Sequence, residues 1–295
     1  MFFWVARLGG FNRAAERLAT TQPAVSQRIA GLEREFGVKL IERRPRSVAL
    51  TPKGRELFDY AERLMRLHSE MVTAVASPAA KSGVVRLGVA ETIVHTWLAD
   101  YVEKIHVAYP KITLDIEVDV SPKLRDGLVE GSLDLAFLLG PVSAPRLSNV
   151  ELCRYPLSFV ARAGLDLGPE PVPLARLVTM PVITYSKATR PYVTVRELLS
   201  RSNLEPPRIY ASSSLSTIVR MTLDGIGVSV IPAAVIGAEL ARGDLRVVRS
   251  DVELPHLVFT ATYALGPDGS LVERLTELAV EVARTARRSP AQETA

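Results

Sequence analysis

The sequence predicts an α/β protein: a small, basic, helical head followed by a larger α/β body. Three observations point there. Residues 1–60 hold 11 Lys+Arg against 6 Asp+Glu, whereas the remainder holds 25 against 26, so the positive excess sits in the first fifth of the chain. Two strong helix starts, Thr21-Gln22-Pro23 and Thr51-Pro52, bracket a run of Lys39, Arg43, Arg44 and Arg46, and Lys53 follows the second. Beyond residue 84, short apolar runs alternate with helical patterns, which is the signature of strands and crossover helices. A length of 295 residues accommodates two or three domains.

The head occupies residues 1–54. Phe2 to Arg7 is a short aromatic helix stopped by Gly9-Gly10. Asn12 is read as the cap of the next helix, over residues 13–19, with Ala14, Ala15 and Leu18 on one face. Thr21 caps the third helix. Pro23 falls in its first turn, where the missing N–H costs little. Val25, Ile29, Leu32 and Phe36 recur at helical spacing as an expected buried stripe, and Gly37 is a natural stop. Gln22, Ala24, Ser26, Gln27, Arg28 and Arg34 then point elsewhere.

Two short helices joined by a tight turn, the second with a polar start, make a helix-turn-helix. Such a start can enter a major groove, where Gln bonds base edges and Ser or Thr bonds bases or phosphates. Leu40-Ile41 and Val48-Leu50 read as two strands around the tip 44–47, a wing that places Arg43, Arg44 and Arg46 near phosphate or the minor groove. The candidate contacts with double-stranded DNA are therefore Asn12, Thr21, Gln22, Pro23, Ala24, Ser26, Gln27, Arg28, Arg34, Arg43, Arg44 and Arg46. Charge alone fits a solvated basic face equally well.

A linker helix over residues 52–77 follows, with Thr51 as cap. Leu57, Ala61, Leu64, His68, Met71 and Val75 alternate at four and three residues, a heptad seam suited to dimerisation. A single amphipathic helix packed on its own chain shows the same spacing. Residues 77–83, SPAAKSG, read as a hinge.

The body spans 84–288. Strands are expected at 84–89, 113–118, 133–138, 158–161, 182–184, 208–211, 227–232 and 257–263. Helices are expected at 92–108, 122–130, 192–201, 214–224, 233–242 and 270–287. That alternation implies a parallel arrangement.

The stretch AAERLATTQPAVSQRIAGLEREFGVKLIERRPRSVALTPKG resembles the winged helix-turn-helix of LysR-type transcriptional regulators. Departures are modest: Thr21 for the usual Ser, Phe36 for Leu and Ile41 for Phe. The family carries a few more residues ahead of Phe2-Phe3, so a shortened first helix is expected. The resemblance continues through VRLGVAETIVHTWLADYVEKIHVAYPKITLDIEV, LVEGSLDLAF and MTLDGIGVSVIPAAVI.

The resemblance implies a winged helix-turn-helix, a dimerising linker helix and a two-lobed α/β effector domain like a periplasmic solute-binding protein. Lobe one would be 84–160 with 264–288 and lobe two 161–263, with crossovers near Ala161 and Tyr263. It also implies a homodimer, assembling to a tetramer, that binds DNA under control of a small molecule.

In such a cleft the strands deliver helix N-termini to the crevice, and their free N–H groups attract anions. The candidate effector residues are Glu91, Thr92, Ser121, Gly140, Thr184, Ser186, Ser212 and Ser214. The hydroxyls suit a small carboxylate held by neutral donors. Glu91 leaves two readings open. It either faces the cleft, where it repels a carboxylate or pairs with the amine of an amino-acid-like ligand, or it only complements its own helix dipole.

Other chemistries find no footing. His68, His95, His106 and His256 make no metal spacing with each other or with Cys153. No nucleotide-binding glycine loop and no nucleophile elbow occur, so neither catalysis nor a cofactor is expected. One cysteine excludes an internal disulfide and suits a cytoplasmic, reducing setting. No apolar run is long enough to span a membrane, and the first residues do not read as a signal peptide. The other reading of the whole chain is a cytoplasmic solute-binding module whose head docks protein or has lost DNA binding.

Overall fold

The computed structural model describes residues 1–44, 47–75, 83–145, 147–200, 208–264 and 269–286. The chain divides into two compact units, Met1–Pro78 with Leu265–Glu273 and Ala79–Ala264 with Arg274–Ala295.

In the first unit, α1 (Phe2–Leu8), α2 (Phe11–Arg17) and α3 (Gln22–Phe36) precede strands β1 (Ile41–Arg44) and β2 (Ser47–Leu50) and the long α4 (Pro52–Val75). β1 and β2 pair antiparallel, Ile41 with Leu50 through Arg44 with Ser47. Pro45 and Arg46, at the expected wing tip, lie outside the described residues. Phe2, Phe3, Val5, Ala14, Ala15, Val25, Ile29, Leu40, Ile41 and Phe58 form one core. Phe3 and Phe58 stack within it, their ring centroids 5.4 Å apart.

Two expectations for the head are corrected. Gly10, not Asn12, precedes α2 as its cap, and Asn12 lies exposed inside the helix. Phe36 is 52% exposed. Helix α3 ends at once on Gly37 in the left-handed conformation, φ 65°, so the last residue of the stripe overhangs the core. Where α4 starts, Thr51 supplies a double anchor. Its hydroxyl donates to the Lys39 carbonyl at 2.7 Å and accepts from the Gly54 amide at 2.9 Å. Gly54 sits against the Leu40 carbonyl oxygen so closely that a Cβ has no room.

The second unit contains β3 (Gly83–Val89), α5 (Glu91–Val94), α6 (Leu98–Ala108), β4 (Ile112–Val118), α7 (Ser121–Glu130), β5 (Leu135–Leu139) and β6 (Leu147–Arg162). It continues with α8 (Leu174–Leu177), β7 (Val182–Tyr185), α9 (Arg190–Ser200), β8 (Ile209–Ser212), α10 (Leu215–Leu223) and β9 (Val228–Pro232). A 3-10 turn (Ala233–Ile236), α11 (Gly237–Arg242), β10 (Leu245–Val248), β11 (His256–Ala264) and the greater part of α12 (Gly269–Ala286) complete it.

The strands order β4-β3-β5-β11-β6-β9-β7-β8, with β10 also on β6. The sheet is mixed, not all-parallel as expected. β3 runs parallel to β4 and β5, and β7 parallel to β8 and β9, but β11 is antiparallel to both β5 and β6. The reason is connectivity. The chain leaves the first lobe on β6 and returns on β11, so these strands run in opposite directions.

β6 serves both lobes. It pairs with β11 as far as Pro156, then with β9 from Leu157 and with β10 from Phe159 to Arg162. The strand partners of β6 thus change at 156–157, and β11 begins at His256. The helix expected over 92–108 is two. The Thr96 hydroxyl donates to the carbonyls of Thr92 and Ile93 at 2.9 and 3.3 Å, competing with the backbone. There the chain turns to bury Trp97 completely.

Candidate functional site

Two sites emerge, one in each unit. The first is the start of α3. The Thr21 hydroxyl accepts from the Ala24 amide at 3.4 Å, and Pro23 lies in the first turn. The Gln22 side chain donates to the Ser26 hydroxyl at 3.0 Å. Val25 and Ile29 are buried beneath, while Gln27, Arg28 and Arg34 are exposed on the outer face. No acidic residue occupies the first turn of α3, so no side chain there offsets its partial positive charge. Gln22, Ala24 and Ser26 are half-buried, and Pro23 is exposed. Arg43 and Arg44 lie on β1, their side chains outside the described residues; Arg46 lies outside them altogether.

Glu33 was missed in the sequence. Its carboxylate accepts from the Leu40 and Ile41 amides at 2.9 and 3.2 Å and from the Lys39 ammonium at 3.0 Å. It thus rivets α3 to the first wing strand. Burial works to raise its pKa, but the Leu40 amide, Lys39 and the Ile41 amide outweigh it. The carboxyl is held below its ordinary value. Only its distance in sequence from those amides hid it.

The expected seam on α4 splits. Leu57 and Ala61 pack on the head's own core. Leu64 and Met71 are 67% and 55% exposed, beside exposed Tyr60, Leu67 and His68. An apolar groove of about 360 Å3 runs between Tyr60 and Leu64 of α4, Ile29 and Leu32 of α3, and Phe2 and Phe3. The side chain of Val75 lies outside the described residues.

The second site is a crevice between the lobes of the second unit, with a cavity of about 40 Å3. Glu91 and Thr92 at the start of α5 and Ser121 at the start of α7 line it. Tyr185 and Ser213, neighbours of the expected Thr184, Ser212 and Ser214, line it too, and so do the unforeseen Asp119, Thr189, Pro191, Leu257 and Phe259. Among the described residues, no Lys, Arg or His lines it.

Several expected residues do other work. Thr184 is fully buried, its hydroxyl donating to the Val230 carbonyl at 3.2 Å inside the sheet. Alternation along β7 sends its neighbour Tyr185 to the cleft instead. The Ser186 carbonyl accepts from Thr189. The Ser212 hydroxyl closes a turn on the backbone of Ser214. Gly140 lies against Thr260, with no room for a Cβ. The Ser121 hydroxyl accepts from the Leu139 amide at 3.0 Å.

Glu91 faces the cleft, the first of its two readings, but the chain itself engages its carboxylate. Its carboxylate crosses from lobe one to the first turn of α10 in lobe two. There it accepts from the Leu215 amide, and the Ser214 hydroxyl lies 3.4 Å away. His95 Nε2 is 3.9 Å from it. Beside this contact, Thr92 Oγ1 and Tyr185 Oη approach to 3.4 Å, a second link between the lobes. Burial of the Tyr185 hydroxyl pushes its pKa up, against the Thr92 hydrogen bond, and Glu91 adds to the rise.

Among the described residues no helix is long and apolar enough to cross a membrane, and no cluster of His, Cys, Asp or Glu could hold a metal ion.

With this geometry in place, the comparisons with known proteins agree. The profile of the LysR substrate binding domain matches residues 78–284, and that of the bacterial regulatory helix-turn-helix protein, lysR family, matches residues 1–55. The HTH-type transcriptional regulator GltR of Bacillus subtilis (strain 168) is 25% identical over 246 residues, 83% of this chain and 82% of that protein. A full-length OxyR variant from Pseudomonas aeruginosa shares the fold with a TM-score of 0.66 at 23% identity, over 98% of this chain and 93% of that one. CbnR complexed with its target DNA matches with a TM-score of 0.54 at 20% identity, over 96% and 97%. The chain belongs to the LysR family: a DNA-binding transcriptional regulator with an effector-binding domain, and not an enzyme.

Proposed function

We propose that the protein reads its operator through the start of α3 and answers to a small carboxylate or amino-acid-like effector held between its two lobes. The observation that carries the DNA half is the geometry of α3: a hydroxyl-capped, acid-free start over a buried stripe, with Gln27 and Arg28 turned outward. A helix presented this way offers N–H groups and Arg to phosphate and Gln to base edges. The wing arginines Arg43, Arg44 and Arg46 add contacts that do not depend on sequence.

The exposed stripe Tyr60, Leu64, Leu67 and Met71 supports pairing of two α4 helices, which delivers two heads to two half-sites. We take the active species to be a homodimer or a tetramer built from it, working in the cytoplasm. The effector half rests on the crevice lined by Glu91, Thr92, Ser121, Tyr185 and Thr189. Cys153 is the chain's one cysteine and is buried on β6. An intramolecular disulfide switch is therefore unavailable, which favours control by a ligand.

The test is a binding titration on the DNA upstream of the coding region and on random DNA. Gln27→Ala should relax base preference, by about 1–3 kcal/mol of lost discrimination. Arg46→Ala should weaken binding to all sequences and flatten the salt dependence. Equal losses on both DNAs for both variants would refute this division of labour.

A further inference from the structure

The crevice already contains two carboxylates of the chain's own: Asp119, which is paired with Lys123 at 2.9 Å, and Glu91, whose partner is a helix start. The first four amides of a helix have no partner within it. On α10 the Thr217 amide is satisfied locally by the Ser214 hydroxyl, at 3.3 Å. The Leu215 amide is satisfied from the other lobe, by Glu91. An anion at a helix N-terminus is what the partial positive charge there favours. Here the anion is tethered to α5 of the opposite lobe.

The cavity that remains is about 40 Å3, far below the roughly 300 Å3 at which small-molecule pockets begin. Thr92 and Tyr185 bridge the lobes next to it. A ligand therefore needs either the lobes to part or Glu91 to leave.

We propose that Glu91 is a resident latch: its carboxylate stands where a ligand carboxylate binds, holds the lobes together over a nearly filled crevice, and is displaced when an anionic effector enters. The inference rests on the reading of this crevice as the effector site and narrows the effector to molecules bearing a carboxylate. The apolar lining, Leu139, Pro191, Leu257 and Phe259, would hold the ligand's body.

The latch also sets a threshold. A tethered carboxylate competes at an effective concentration of about a millimolar or more. A free carboxylate must exceed that advantage through contacts Glu91 does not make. Simple acids then leave the wild type closed, and only an acid whose body fits the apolar lining opens it.

Residue-resolved hydrogen exchange on the full-length protein tests this, with sodium acetate as probe. In Glu91→Ala the Leu215 amide should exchange about tenfold faster or more, the loss expected for a hydrogen bond to a charged group. The Ile218 amide, bonded to the Ser214 carbonyl at 3.1 Å, should not change. Acetate should restore protection of Leu215 in Glu91→Ala and do nothing to the wild type. Glu91→Gln, which keeps an acceptor but no charge, should fall between the two.

Unchanged exchange at Leu215 would overturn the proposal. So would equal acceleration of Leu215 and Ile218, which would make Glu91 a prop for the whole helix. Failure of acetate to rescue would overturn it as well. DNA binding is assayed in the same preparation. Its loss in the wild type would break the regulator reading while leaving a positive exchange result standing.

Discussion

Helices α3 and α10 begin alike. Each has a hydroxyl cap, Thr21 and Ser214, that accepts from the amide three residues on. Each starts without an acidic residue in its first turn. Their fates differ. The start of α3 stays open, with Gln27 and Arg28 exposed. The start of α10 is met by Glu91 from the other lobe. The same local device thus makes a surface for an outside anion in one place and a closed contact in the other. What decides is the third dimension, not the cap.

Variants can break or sharpen that contrast. The largest effect is expected for Gly54→Ala. Its Cβ would drive into the Leu40 carbonyl, against backbone that cannot swing aside. A loss of about 3 kcal/mol in the head is expected. Exchange protection should fall throughout α3 while the first turn of α10 keeps its own, showing that the two starts are held independently.

Glu33→Gln comes next, at about 1–3 kcal/mol, because the Leu40 and Ile41 amides lose a charged acceptor. Its pH dependence has a definite sign. The folded carboxyl titrates below the unfolded value of 4.5. Its contribution is therefore complete above that pH and is lost as pH falls through the depressed folded value. Denaturant midpoints of the wild type should drop over that acid window more steeply than those of Glu33→Gln.

The caps themselves follow. Thr21→Ala and Ser214→Ala should each cost about 1 kcal/mol. They should differ in readout: the first lowers DNA affinity and leaves the crevice alone, and the second speeds Thr217 exchange and leaves DNA binding alone. Smallest is Thr184→Val. Thr184 bonds inside the sheet and not in the crevice, so about 0.5 kcal/mol of stability is expected. The response to any crevice ligand should be unchanged, as thermal shifts would show.

The same contrast explains how much was legible in the sequence. The helix α3 could be read to its ends, because Thr21, Pro23 and Gly37 act on their own backbone. The body's strands were mostly found, but the mixed sheet was not, since pairing direction depends on which strands cross between lobes. The stretch around Cys153 and Tyr155 did not read as strand, though β6 pairs with β11 there. In the crevice, Glu91, Thr92 and Ser121 were found because they follow strand ends. Thr184 was chosen over Tyr185 because one residue of register reverses the face. Phe36 was placed inside because periodicity does not report where the core stops. Glu33 and the reach of Glu91 to Leu215 are long-range contacts that no spacing rule encodes.

The most direct test is hydrogen exchange of the full-length protein with and without DNA from upstream of its coding region. An open α3 start and a latched α10 start predict that DNA newly protects the first turn of α3, Gln22 to Val25, while the Leu215 amide of α10 is protected in both states. DNA that leaves α3 untouched, or a Leu215 amide that exchanges freely without ligand, would contradict that division.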